Sequence, residues 1–276
     1  NVTSAKDLTN EEIDSLWVEL TGKQGFDQLV KPTSQSPMYI LGGKGSGKTH
    51  LMRHYSFDLQ RLRHQKDLMG GLKRDGYIGI YQRCSGLNSN RFSQKGLSED
   101  VWNALFGFYT EIWFSQILLS AILAINKVCT EFIPNEASFC SAVINLFDKE
   151  FPFEGEKNIQ NLNVAIHSIQ RQIDFAVNNV AFSGGAISVE IIVTDGDLLY
   201  GIPRICQDLI PSFRDMLFVY LIDEYENLLE SQQRHFNTLL REKEKPATFK
   251  VGARLYGVKT FFTNSGNEEN KRGSEY

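Results

Sequence analysis

The sequence has no pair of cysteines at C-x-x-C spacing. Its four cysteines, Cys84, Cys129, Cys140 and Cys206, are scattered. That pattern argues against a zinc site or a disulfide framework and suits reduced thiols in a cytoplasmic protein. Excess positive charge is also missing: 29 Lys and Arg stand against 33 Asp and Glu, for a formal net charge of −4. Charge therefore gives no support for a nucleic-acid partner, although local patches are left open. No secretory signal is visible, and the Asn1-Val2-Thr3 sequon has no other sign of secretion beside it. The longest apolar run, Ile112–Ile125, is preceded by Glu111 and contains Gln116. At about fourteen residues against the roughly twenty that a bilayer needs, it reads as a buried core helix, with no membrane partner. No internal repeat is apparent.

What is present is an ordinary globular balance, 42% hydrophobic and 22% charged over 276 residues, enough for one large domain or two small ones. One stretch carries specific chemistry: Gly42-Gly43-Lys44-Gly45-Ser46-Gly47-Lys48-Thr49. It matches G-x-x-x-x-G-K-[ST], a phosphate-binding loop. Glycines let successive N–H groups turn toward phosphate oxygens, and the helix that follows adds the positive end of its dipole. These eight residues, with His50 next to them, are the candidate ATP-binding set. Lys48 is expected at the β- and γ-phosphates and Thr49 on Mg2+. The flanks fit: Pro37-Met38-Tyr39-Ile40-Leu41 reads as a buried strand, and Leu51, Met52, Tyr55, Leu59 and Leu62 fall on one helical face out to about Lys66. His50 and His54 are four apart, a metal-capable spacing, but no third ligand is evident.

Upstream, Thr9 and Glu12 predict a capping box that opens a helix with Leu16, Trp17 and Leu20 inside. Phe26, Leu29 and Val30 are candidates to pack on an adenine, with core packing the simpler role. Downstream, Gly70-Gly71 reads as a helix end, Tyr77–Tyr81 as a strand and Arg83–Gly96 as a loop. Glu99–Val180 is helical by pattern and predicts a large insertion, about 99–185. Val189–Val193 reads as a short strand and Ile202–Met216 contains a helix.

Leu217–Ile222 is an unbroken apolar run that ends in Asp223-Glu224, the Walker B pattern on a strand buried on both faces. Asp223 is expected to hold Mg2+ with Thr49, and Glu224 to activate the attacking water. Phe249–Arg254 predicts the next strand, with Arg254 at its tip facing the γ-phosphate. A surface pairing of Arg254 with Glu226 or Glu242 is the alternative. The catalytic candidates are thus Glu224, Lys48 and Arg254, and the metal ligands Thr49 and Asp223.

The order of phosphate loop, helical block, Leu-Ile-Asp-Glu-Tyr-Glu-Asn-Leu and Lys-Val-Gly-Ala-Arg resembles AAA+ and STAND ATPases. It is most similar to bacterial origin-recognition-complex-like AAA ATPases, some of which serve in anti-phage defence. The resemblance implies an α/β, three-layer P-loop NTPase fold with a parallel central sheet and a helical insertion in one ATPase domain. It also implies a homo-oligomer with a protein partner or effector, and an arginine finger for which Arg234, Arg241 and Arg272 are candidates. No lid or winged helix follows, no initiator Met begins the chain, and the expectation is a piece of a longer protein. Three other readings stay open: a non-hydrolysing nucleotide-gated module, a DNA-associated initiator-like ATPase and, against the grain of the Asp-Glu pair, a small-molecule kinase.

Overall fold

A computed structural model describes residues 5, 7–18, 25–94, 96–129, 132–184 and 187–271. The chain divides into two compact units, one taking the chain up to Ser89 and from Asp215 onward, the other Asn90–Arg214.

The first unit is built on four parallel strands, β1 (Met38–Leu41), β2 (Tyr77–Arg83), β3 (Leu217–Asp223) and β4 (Ala247–Ala253). Their order in the sheet is β1-β4-β3-β2, and helices cover both sides. The α/β, three-layer P-loop architecture expected from the sequence is therefore present. Every residue of β3 and β4 is buried, which is why β3 carries an apolar run without alternation; β4 also buries Thr248 and Lys250. The strand order has a direct consequence. β4 lies between the strand that leads into the glycine loop and the strand that ends in Asp223. Registers Leu41↔Ala253, Ile222↔Val251 and Arg83↔Asp223 bring all four carboxyl ends to one edge.

Helix α1 (Asn10–Ser15) opens with the expected capping box: Glu12 N donates to Thr9 Oγ1 at 3.2 Å and Thr9 N to Glu12 Oε2 at 2.7 Å. The helix stops at Ser15, so Leu16 and Trp17 lie beyond it, and Leu20 is outside the described residues. Helix α2 (Phe26–Val30) precedes β1. The single helix expected from the loop to Lys66 is two helices, α3 (Lys48–His54) and α4 (Phe57–Arg63). The break at Tyr55-Ser56 has a steric cause. The Tyr55 carbonyl oxygen lies 1.9 Å from where a Cβ on Gly79 would stand, so the turn seats on β2 only because residue 79 has no side chain. Gly70-Gly71 does not end a helix. Both lie inside α5 (Leu68–Asp75), which Asp67 caps and Gly76 terminates at φ 75°. Gly71 is there because its backbone passes directly against the His64 ring.

The second unit consists of α6 (Glu99–Asn126), α7 (Glu136–Ile144), α8 (Ile159–Asn179) and α9 (Asp197–Leu209). Helix α6 is long and apolar enough to cross a membrane, but 67% of its most apolar window is buried inside the protein, as in a core helix. Residues Val189–Val193, expected as a strand, are not one. Ile192 O accepts from Asp148 N at 2.9 Å and Val193 lies in a bend, but no described strand of that unit lies alongside to form a ladder. In the first unit, α10 (Glu230–Glu242) joins β3 to β4.

Candidate nucleotide site at the strand ends

The glycine loop leaves β1 and is anchored at once: Gly42 N donates to Ala253 O of β4 at 3.2 Å. Gly45 (φ 79°) and Gly47 (φ 87°) take left-handed backbone, open to glycine at little cost, and Gly43 through Gly47 are exposed. Helix α3 begins at Lys48. Lys48 Nζ folds over the loop, donating to Gly42 O (2.7 Å) and Gly43 O (2.9 Å), with Ser46 Oγ at 3.4 Å.

A cavity of about 420 Å3 lies beside the loop. Trp17, Phe26, Leu29 and Ile40 supply apolar wall, and Gly42, Ser46 and Lys48 the polar rim. Phe26 and Leu29 line this cavity, whereas Val30 is fully buried in the core. His50 lines the same cavity, and its Nε2 bonds the Ile13 carbonyl at 3.0 Å. His54 does not converge with it as a metal pair. Its ring stacks on Trp17 at 3.5 Å and meets Arg63 Nη1 at 2.6 Å. Burial, then the Arg63 and His50 charges, hold its pKa down at about 3.

Asp223 ends β3 and is 1% exposed. Its carboxylate accepts from the Thr49 hydroxyl, from Tyr81 OH (3.1 Å) and from Glu224 N (2.9 Å). Burial raises its pKa, with these hydrogen bonds opposing the rise. Burial also pushes the Tyr81 phenol up, followed by the charge of Asp223, so Tyr81 stays a donor. Glu224 has left-handed backbone (φ 56°, ψ 39°), an uncommon conformation for a residue with a side chain. It turns its carboxylate toward Arg83 Nε (3.7 Å) and Asn227 Nδ2 (3.4 Å). The structure places Arg254 at the end of β4, with its Nε on Glu226 Oε1 at 3.0 Å and its backbone N on Glu226 Oε2 at 3.2 Å. That is the surface pairing weighed as the alternative. Of the finger candidates, Arg234 pairs with Glu230 and Arg241 with Glu268, while Arg272 is outside the described residues.

Tyr81 and Arg83 were missed in the sequence because their place beside Asp223 follows from strand order. Once β2 is set against β3, the Arg83↔Asp223 register finds them. Tyr225 is fully buried and bonds Gln233 O at 3.0 Å, which pins the turn after the acidic pair.

A parallel sheet with helices on both sides, with the glycine loop leaving one strand and the acidic pair ending another, is the fold of a P-loop NTPase. Comparison with family models narrows the class: residues 1–276 match the ORC-CDC6-like model. The chain belongs to the ORC-CDC6-like family, in agreement with the AAA+ ATPase class reached from its motifs. No curated protein and no solved structure matches it.

Proposed function

We propose that this chain binds ATP with Mg2+ and hydrolyses it, as the AAA+/STAND-type ATPase domain of an oligomeric switch or motor, with the helical unit as an insertion. The observation that carries the reading is the hydrogen bond between Thr49 and Asp223. It joins two motifs far apart in sequence through two hard oxygen donors. Such a pair fits Mg2+, which binds through few protein oxygens and completes its shell with water and phosphate. No cluster of three His, Cys, Asp or Glu that could hold a metal is found among the described residues, so water and phosphate would supply the rest of that shell. When bound, the ion supplies neutralisation of charge on the phosphate oxygens.

The chain's own groups then have distinct work. Loop N–H groups from Gly43 through Lys48 bind phosphate, and Lys48 exchanges its loop carbonyls for phosphate oxygens. Glu224 takes a proton from the attacking water, and Arg83 holds that carboxylate aside until it is needed. Arg254 reaches the γ-phosphate by leaving Glu226. The cavity lined by Trp17, Phe26 and Leu29 takes the base. The test is turnover by purified protein beside Glu224→Gln. Turnover that is unaffected by that change removes Glu224 as the base.

A second reading is a nucleotide-gated module that binds without turnover. The pairings of Glu224 with Arg83 and of Arg254 with Glu226 favour it. Tight ATP binding with no phosphate release, even with partners added, would select it. The resemblance extends the proposal to bacterial anti-phage defence with a protein effector. Cells expressing the chain would then plate fewer phage, and Lys48→Ala would abolish the difference.

A further inference from the structure

A second cavity lies behind α3, in the same unit as the sheet, and measures about 640 Å3. That is the size of a small-molecule site. It shares no lining residue with the cavity beside the glycine loop, and nothing in the ATPase reading uses it. Its charges are unevenly satisfied. The lining holds two carboxylates, each with a bond inside the wall: Asp27 accepts from Tyr55 OH at 2.6 Å, and Asp75 accepts from Gln60 Nε2 at 2.9 Å and contacts His64 Nε2 at 3.0 Å. Three cations, Lys31, Arg63 and Arg74, stand against them. Among the described residues Arg63 bonds neutral groups, the His54 ring and the Tyr77 phenol. The Lys31 backbone bonds Asp27 O and Ser34 N, but its ammonium has no hydrogen-bond or carboxylate partner among the described residues. Arg74 meets Asp67 at 3.6 Å in a pair that is about two-thirds exposed, an arrangement that contributes little.

A further positive charge stands behind this wall. Lys250 is fully buried and donates to Ser34 O (3.0 Å) and Ser36 O (2.7 Å), on the turn that lines the cavity. Burial and the nearby Lys31 charge lower its pKa to about 7. Lys31, Arg63 and Arg74 against Asp27 and Asp75 leave the lining with one positive charge in excess, which a bound anion would offset.

We propose that this cavity is a second ligand site, for a small phosphate monoester on a hydroxyl-bearing group, with Lys31 and Arg63 binding the phosphate. An arginine fork and a lysine point charge together suit the geometry of a phosphate monoester. The volume left over and the acceptor oxygens of Asp27 and Asp75 suit the hydroxyls. The site does not depend on the ATPase reading.

Ribose 5-phosphate is the probe, with ribose as the uncharged control, titrated calorimetrically into the intact chain. The Lys48→Ala protein serves as the variant with a disabled glycine loop. Saturable binding is expected to wild type and to Lys48→Ala alike, with at least a tenfold loss in Lys31→Met and in Arg63→Met, and none for ribose. Lys31 is exposed, so Lys31→Met keeps the test valid should Arg63→Met fold poorly. No saturable binding at millimolar ligand, equal binding by Lys31→Met, or loss of binding in Lys48→Ala would each overturn the proposal. Loss in Lys48→Ala would move the phosphate to the glycine loop.

Discussion

Two buried carboxylates, one in each compact unit, show how the same group serves opposite ends. Asp223 and Glu111 are 1% and 0% exposed, and burial raises the pKa of both, Glu111 to about 8. Their donors differ. Glu111 accepts from the backbone N–H groups of Gly196 (2.7 Å), Leu198 (3.0 Å) and Leu199 (3.0 Å), at the start of α9. N–H groups at an α-helical start lack intrahelical acceptors, and three such donors on one carboxylate fix it there. Asp223 instead accepts from two hydroxyls and one amide. Hydroxyls rotate, and can turn their lone pairs toward a cation that displaces the hydrogen bond. Glu111 therefore holds a helix in place, whereas Asp223 is built to change partners.

The sharpest break between the two comes from the neighbour of Asp223. Glu224→Gln is expected to lower turnover by about 10^2- to 10^4-fold, the usual range for loss of a general base, while ATP affinity measured by equilibrium titration stays within a few-fold. Glu111→Ala should do the reverse. It removes the acceptor that the amides of Gly196, Leu198 and Leu199 share and is expected to cost about 3 kcal/mol of stability, read as a lower urea midpoint.

Lys250 sharpens the contrast through pH. Its folded pKa lies near 7 against 10.5 for the free side chain. The folded protein therefore releases a proton that the unfolded chain keeps between those values. Stability from this group is complete above about pH 10.5 and is lost as pH falls toward 7, by on the order of a few kcal/mol. Denaturation of wild type and Lys250→Met across pH 7 to 10 should show a slope that the variant lacks. The smallest effect is expected at Asp223→Asn, whose stability should stay within about 1 kcal/mol of wild type, because desolvation offsets what the hydrogen bonds contribute. A loss as large as that of Glu111→Ala would erase the distinction.

The legible parts of this molecule were those written locally. The glycine loop carries its chemistry in consecutive residues, and Leu217–Ile222 announces a doubly buried strand by itself. The capping box at Thr9 and Glu12 closes over three residues. What escaped was non-local. Tyr81 and Arg83 reach the acidic pair only through parallel pairing across more than a hundred residues of chain. The break at Tyr55-Ser56 depends on Gly79 of another element. Val189–Val193 has the composition of a strand but lacks a neighbour, and β propensity without a partner strand does not make a ladder. Arg254 stood between two roles in the sequence, and its contact with Glu226 makes any phosphate role one that requires movement.

The most direct measurement of the central claim is the Mg2+ dependence of ATP affinity in wild type and in Asp223→Asn. If Asp223 is a ligand in waiting, Mg2+ tightens ATP binding by the wild type, and that gain largely disappears in the variant. Equal tightening by Mg2+ in both proteins would contradict the account and leave Asp223 a structural carboxylate like Glu111.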